Sequence, residues 1–212
     1  MTTKFQDKAH GLPDISRREL LVFDFDGTIA DTSSLHAEAF ATTLAPYCVA
    51  VDYERIAGLS TPEAMRRLLS WNGIGFTDEL VASLSTSKQE AVRRLIGSSL
   101  EPMPGADAFL RKARHRFPIA LVTSGSKGTV SLALSALGYN GWFDPLVCSD
   151  DVARSKPDPE GYLRALDLTG VRAADALVFE DSDTGVTAAR CAGIDIVDVR
   201  LTPWPLLEVL LP

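Results

Sequence analysis

LVFDFDGTIADT, residues 21–32, decides how the rest of the chain is read. Leu21, Val22, Phe23 and Phe25 form a short apolar run that meets a turn at Gly27, the pattern of a buried strand ending in a loop. Asp24 and Asp26 interrupt that run. Residues two apart on a strand share a face, so both carboxylates are expected to face one point where the strand ends. Carboxylates beside an apolar core are costly unless a cation neutralises them. The stretch therefore predicts a divalent-metal site, with one carboxylate left for chemistry. A calcium loop starting at Asp24 would place Ile29 where glycine is needed and Leu35 where glutamate is needed, which argues against that alternative. Plain turn formation does not account for Asp24, which sits inside the apolar run.

Outward from this stretch, helical patterning runs from about 33 to 101. Residues 34–45 carry Leu35, Ala39 and Leu44. Thr61 is expected to cap a helix with Pro62 at its first position, Gly73 and Gly75 to break it, Thr77 to cap the next, and Gly97 to stop that one. Beyond the link Glu101-Pro102-Met103-Pro104-Gly105, strands and helices alternate. Strands are expected near 118–123, 145–148, 176–180 and 195–199, with helices near 106–115, 127–137, 158–168 and 184–192. Unalternating apolar strands separated by helices predict a parallel sheet covered on both faces. Trp71, Trp142 and Trp204 are read as core or edge fillers, and residues 1 to about 18 as a loosely held leader that docks near its end.

In such a sheet, ligands sit beyond the carboxyl ends of the strands. Asp24 and Asp26 end the first strand, Thr123-Ser124-Gly125 the second and Glu180-Asp181 the fourth, while Lys156 lies in the loop after the third. Together they suit phosphoryl transfer. Asp24 would be the nucleophile, Asp26 the acid and base, and Asp24 and Asp181, with Glu180, the Mg²⁺ ligands. Ser124, Lys156 and backbone N–H groups near Gly27 and Gly125 would hold the phosphoryl group.

The 212-residue chain has 46% hydrophobic and 23% charged residues, an ordinary globular balance, and a formal charge of −7. That charge argues against nucleic acid and anionic membranes as partners. Three dispersed cysteines, no membrane-length apolar run and a polar start point to a cytoplasmic protein.

The same residues resemble the haloacid dehalogenase-like superfamily. DFDGT (24–28), Thr123-Ser124, Ser155-Lys156-Pro157 and FEDSDTG (179–185) match its four motifs in order. The resemblance implies a Rossmann-like α/β core of residues 1–33 and 102–212, with a small helical cap, 34–101, inserted after the first strand. It implies the same roles for the motif residues, with Asp26 touching Mg²⁺ through its backbone carbonyl. It also points to the β-phosphoglucomutase and fructose-1-phosphate phosphatase branch, where His36, the loop Gly58-Leu59-Ser60 and Lys88 would face a small phosphorylated metabolite. Lys127 is a further candidate for the phosphate region. Mutases of this branch carry an arginine where Thr61 stands. That departure, with the stretches 88–104 and 192–201, favours a sugar or polyol phosphatase over a phosphosugar mutase.

Overall fold

The computed structural model describes residues 13–212. β1 (Leu20–Phe23) is the middle of a five-stranded, all-parallel sheet of order β3-β2-β1-β4-β5, with β2 (Ile119–Val122), β3 (Leu146–Val147), β4 (Ala176–Glu180) and β5 (Asp195–Asp198). β1 pairs Phe23 with Leu121 on one side and with Phe179 on the other. Its apolar run does not alternate because both of its faces are covered. Leu21 and Phe23 enter one core with Leu121, Leu177 and Phe179, and Leu20 and Val22 enter another with Val122 and Val178.

The first core is covered by α4 (Ala106–Ala113), α5 (Lys127–Ala136) and α8 (Trp204–Glu208). The second is covered by α6 (Glu160–Thr169) and α7 (Asp183–Cys191). The expected α/β architecture is thus present. Among the described residues, no helix is long and apolar enough to cross a membrane.

Between β1 and α4 stand α1 (Ser33–Leu44), α2 (Thr61–Trp71) and α3 (Asp78–Ser99). They bury a core of their own around Phe40, Leu44, Met65, Leu68 and Val81. The entering and leaving segments cross side by side, Asp31 N–H donating to the Glu101 carbonyl and Met103 N–H to that of Ile29. Leu35, Ala39, Val92 and Ile96 join these helices to the first core of the sheet.

Several local expectations need correction. β1 stops at Phe23, so Asp24 and Asp26, expected at the end of the strand on one of its faces, lie beyond it. Ser60, not Thr61, is the N-cap of α2. Gly97 does not end α3, which continues to Ser99. A helix tolerates one glycine at about 1 kcal/mol, and the neighbouring Ile96 is anchored in the core. Trp71 is no filler: it is 42% exposed beneath the Arg55 guanidinium. The leader lies largely outside the described residues, and its end is docked, as expected. Ile15 is buried, and Arg18 donates to the Ala174 and Ala176 carbonyls.

The tail closes the first core with an aromatic cluster. Trp204 stacks on Phe179 at 5.4 Å and lies 4.9 Å from Phe109, and its indole N–H donates to the Thr28 carbonyl at 3.0 Å. Trp204→Ala removes a fully packed ring and leaves that carbonyl without a donor. The expected loss is about 3–5 kcal/mol of unfolding free energy. Urea denaturation checks it, and a loss under about 1 kcal/mol would show that the tail contributes little.

Candidate active site

The sheet order reverses beside β1, since β2 and β3 lie on one side and β4 and β5 on the other. At that switch point the strand ends leave a crevice, and the expected residues gather there. Asp24 follows the last residue of β1, and its N–H still donates to the Phe179 carbonyl. The chain then turns, with the Ile29 and Ala30 N–H groups donating to the Phe25 carbonyl and Gly27 N–H to that of Ala30. Asp24 and Asp26 therefore reach one cleft through this turn, not through alternation on a strand. Gly27 has φ +80°, and a Cβ there would lie 2.1 Å from Asp181 Oδ2. Only glycine allows the turn to pass so close to that carboxylate.

Lys156 occupies the centre. Its ammonium donates to Asp24 Oδ1 at 2.6 Å, Glu180 Oε1 at 2.6 Å and the Val122 carbonyl at 3.0 Å, which uses all three of its hydrogens. Burial works against its charge, but Asp24 and Glu180 hold the ammonium well above the ordinary lysine range. Burial pushes the Asp24 carboxyl well above its usual range even though Lys156 opposes this, with Glu180 and Asp181 adding repulsion. Asp181, which accepts from the Thr28 hydroxyl at 3.0 Å, is raised to about 6 by burial and by the charge of Glu180.

Both oxygens of Glu180 are engaged. Oε1 accepts from Lys156 and from the Tyr162 hydroxyl, while Oε2 accepts from the Asp181 and Ser182 N–H groups and the Ser182 hydroxyl. A Cβ at Gly185 would sit 1.6 Å from Oε1, so α7 approaches Glu180 only because that position is glycine.

Asp24, Glu180 and Asp181 offer ligand oxygens that all lie within 4.8 Å of one another. Three carboxylates face one ammonium, leaving two negative charges in excess. Hard oxygen donors with that excess fit a divalent cation such as Mg²⁺.

Asp26 faces a different set of groups. Its Oδ1 accepts from the Thr32 hydroxyl at 2.6 Å and lies 3.2 Å from His36 Nε2. His36 Nδ1 is 2.6 Å from Lys88 Nζ. An ammonium has only hydrogens to give, so Nδ1 accepts and Nε2 carries the hydrogen directed at Asp26. Burial opposes the charge of Asp26, yet His36, Thr32 and Lys88 lower its carboxyl to about 2. Lys88, 2% exposed, is lowered by burial to about 8 although Asp26 pulls it up.

The remaining expected residues divide. Ser124 lines the cleft, and its hydroxyl donates to the Gly58 carbonyl at 3.1 Å. The N–H of Gly125 is committed to Thr123 Oγ1, as that of Gly27 is to Ala30. Neither glycine N–H is free for an anion, so the loops hold these residues by geometry. Among the described residues, the N–H groups of Asp26 and Ser124 donate to no protein acceptor. Lys127 does not come to the cleft: its side chain is 59% exposed and turns toward Asp151 at 3.8 Å. Ser60 is also absent from the lining, where Thr61 stands instead. Tyr53, Tyr162, Thr28 and Thr32 were not singled out from the sequence. Thr28 and Thr32 lie within or beside the first motif, but nothing in a one-dimensional pattern aims their hydroxyls.

The cleft closes between the sheet edge and α1 to α3, with a cavity of about 60 Å³. This fold and site are those of a hydrolase family. The chain belongs to the haloacid dehalogenase-like hydrolases, whose family model matches residues 21–199.

Among its relatives, fructose-1-phosphate phosphatase YqaB of Escherichia coli K12 is 36% identical over 182 residues, covering 85% of this chain and 96% of that one. Validoxylamine A 7'-phosphate phosphatase of Streptomyces hygroscopicus subsp. limoneus is 32% identical over 194 residues, covering 87% and 86%. The crystal structure of CbbY from Rhodobacter sphaeroides in complex with phosphate superimposes with a TM-score of 0.76 at 28% identity, over 84% of each chain.

The buried ammonium at Lys88 sets a pH dependence. The unfolded chain carries this lysine at its ordinary value of 10.5, the folded one at about 8. Between those values the unfolded state binds more protons, so stability owed to this group rises with pH across that window. Below pH 8 the full penalty, about 3 kcal/mol, is present. Relative to the native protein, Lys88→Met should therefore be most favoured near pH 7 and lose that advantage toward pH 10.5. Denaturant unfolding at both values measures it, and parallel pH curves would refute it.

Proposed function

We propose that the protein is a Mg²⁺-dependent phosphatase of small sugar or polyol monophosphates, acting through an aspartyl-phosphate. One observation carries the reading. Asp24 has one oxygen held by buried Lys156, while its other oxygen shares a closed cleft with Asp26 and Asp181.

In the first step Asp24 attacks phosphorus, the ester P–O bond breaks, and the leaving oxygen takes a proton from Asp26. Asp26 stands as a carboxylate before substrate enters; it takes its proton from the substrate phosphate, which enters as the monoanion, and the added negative charge beside it favours that transfer. Its Oδ2, the oxygen not held by Thr32 and His36, is the one that faces the reaction. In the second step Asp26 takes a proton from water as the water oxygen attacks phosphorus. The bond to Asp24 then breaks, and inorganic phosphate leaves.

Asp24, Asp181 and the Asp26 carbonyl would hold Mg²⁺, which supplies charge neutralisation at the transferring phosphoryl group. Glu180, with both oxygens engaged, orients Lys156 and the Asp181 loop from outside that ligand set. Ser124 and the N–H groups of Asp26 and Ser124 would receive the phosphoryl oxygens. We read α1 to α3, residues 34–101, as a cap that shields this chemistry from water, on a core of residues 1–33 and 102–212. A soluble cytoplasmic setting is consistent with three unpaired cysteines.

A phosphosugar mutase of the β-phosphoglucomutase type would have to grip a second phosphate. At the relevant place the cleft offers Thr61, a hydroxyl without charge. Hydrolysis is therefore the better reading.

With Mg²⁺ the enzyme should release inorganic phosphate from a panel of sugar and polyol monophosphates, and EDTA should abolish release. Asp24→Asn should lower kcat on the order of 10⁴-fold or more while the protein remains folded. Isomerisation without free phosphate, or turnover that survives EDTA, would overturn the reading.

A further inference from the structure

Among the described residues, most polar side chains that line the cleft have a protein partner or an expected role in phosphate chemistry; Ser33, Thr61 and Tyr53 have neither, and of these Tyr53 alone carries its hydroxyl on a long, ring-anchored side chain. Tyr53 lies in the loop between α1 and α2, half-buried, with its ring 6.3 Å from that of His36 and 6.5 Å from that of Phe40. It lines the cavity, and among the described residues its hydroxyl has no hydrogen-bond partner. Burial, and then the charges of Asp26, Asp181 and Asp24, hold the phenol well above its ordinary range. It is therefore a permanent neutral donor whose hydroxyl lies within the field of the three carboxylates.

Around Tyr53 the helical layer presents Phe40, Ile56, Leu59 and Thr61. Lys88 is the one lysine or arginine that residues 33–101 bring to the lining. It is already committed to His36, with its ammonium 4.6 Å from the Phe40 ring centroid. Among the described residues, no uncommitted cation lines the part of the cleft on the helical layer. A second phosphate or a carboxylate there would meet apolar walls and two hydroxyls, an unfavourable place for an anion.

Resting on the phosphatase reading, we infer that Tyr53 is a specificity-determining residue whose phenol donates to a hydroxyl on the uncharged end of the substrate. The substrate class narrows accordingly to monophosphates of neutral polyhydroxy compounds. A site that hydrogen-bonds a hydroxyl discriminates strongly against the analogue without one, because its own polar group is then left without a partner. Tyr53→Phe keeps the ring and its packing and removes only the donor.

The test compares glycerol 1-phosphate with propyl phosphate, which has the same carbon count and charge and no hydroxyl. The native enzyme should favour glycerol 1-phosphate in kcat/KM. Tyr53→Phe should reduce that preference about 10-fold, chiefly through KM. A native enzyme without preference, or a variant in which both substrates fall equally, would overturn the assignment.

The phosphatase reading is tested separately in the same experiment by whether the native enzyme releases phosphate at all. Independently of turnover, calorimetric titration of both ligands in the Asp24→Asn background with Mg²⁺ reads the Kd ratio with and without Tyr53→Phe. A ratio that shrinks about 10-fold on losing the hydroxyl supports the role of Tyr53 even if no phosphate is released. An unchanged ratio, or no binding of either ligand, refutes it.

Discussion

A single ammonium, that of Lys156, sits between Asp24 and Glu180, and much of the surrounding architecture answers to it. Removing such charges from water costs several kcal/mol per ion, and the attraction between them offsets that only when the remaining hydrogen-bonding positions are filled. Here they are. Lys156 uses its third hydrogen on Val122, and Glu180 accepts from Tyr162, two backbone N–H groups and Ser182. The Tyr162 ring also lies 5.0 Å from the ammonium. A methyl group at Gly185 would abolish the arrangement. The centre is nevertheless not electrically balanced. Burial, together with the repulsion of three carboxylates around one ammonium, leaves Asp24 and Asp181 raised, a state that a cation would relieve. The protein thus carries a stable half, Lys156 with Glu180, and a half in need of a ligand, Asp24 with Asp181.

The second half is steadied from the far end of the chain. Trp204, inserted among Phe23, Phe109 and Phe179, fixes the Thr28 carbonyl, and the Thr28 hydroxyl in turn donates to Asp181. Aromatic packing in the first core is therefore coupled to the orientation of a carboxylate in the site through one residue of the turn. The close approach of Gly27 to Asp181 applies a second constraint from the same turn. Rigid support of this kind is what catalytic groups require, because small displacements of reacting atoms reduce rate steeply.

The sheet was legible because its strands are apolar without alternation, and three of the four motif clusters were legible because each lies where such a run ends, the fourth, at Lys156, following the third strand by a loop. Asp24 stood out as a charge inside a hydrophobic run. The relation between Asp24 and Asp26 was not legible, since it depends on hydrogen bonds within the turn and on φ at Gly27. Lys88 is singled out by the resemblance alone; as a lysine on a long helix it carries no sign of burial. Its burial comes from the packing of α3 against α1, where His36 and Phe40 meet it. Tyr53 gave no signal at all, because a tyrosine in a loop acquires direction only from the elements on either side. Lys127 misled for the converse reason: it is close in sequence to the phosphate loop, but the first turn of α5 directs it outward to Asp151. Proximity along the chain fixed which loop a residue occupies, and tertiary packing fixed which way it points.

The closed cleft has a functional consequence of its own. A cavity of about 60 Å³ holds a few water molecules but not a sugar phosphate. On the proposed reading, a substrate of that size would enter as the cleft between the sheet edge and α1 to α3 widens. Two polar contacts between these helices and the sheet side lie at the cleft, Ser124 to the Gly58 carbonyl and His36 to Asp26, while the Arg93–Thr129 hydrogen bond and the packing of Leu35, Ala39, Val92 and Ile96 join the layers elsewhere. Both cleft contacts involve residues placed at the chemistry, so opening the cleft also frees the Ser124 hydroxyl and one lone pair of Asp26. The same groups then have a choice of partner, the closing helices or the incoming phosphate. A substrate that satisfies them can take over the contacts that hold the empty site shut, and its own bulk and hydroxyls must then be met by the residues of the helical layer. On the proposed reading, selection by that layer and shielding from water would be two outcomes of one closure.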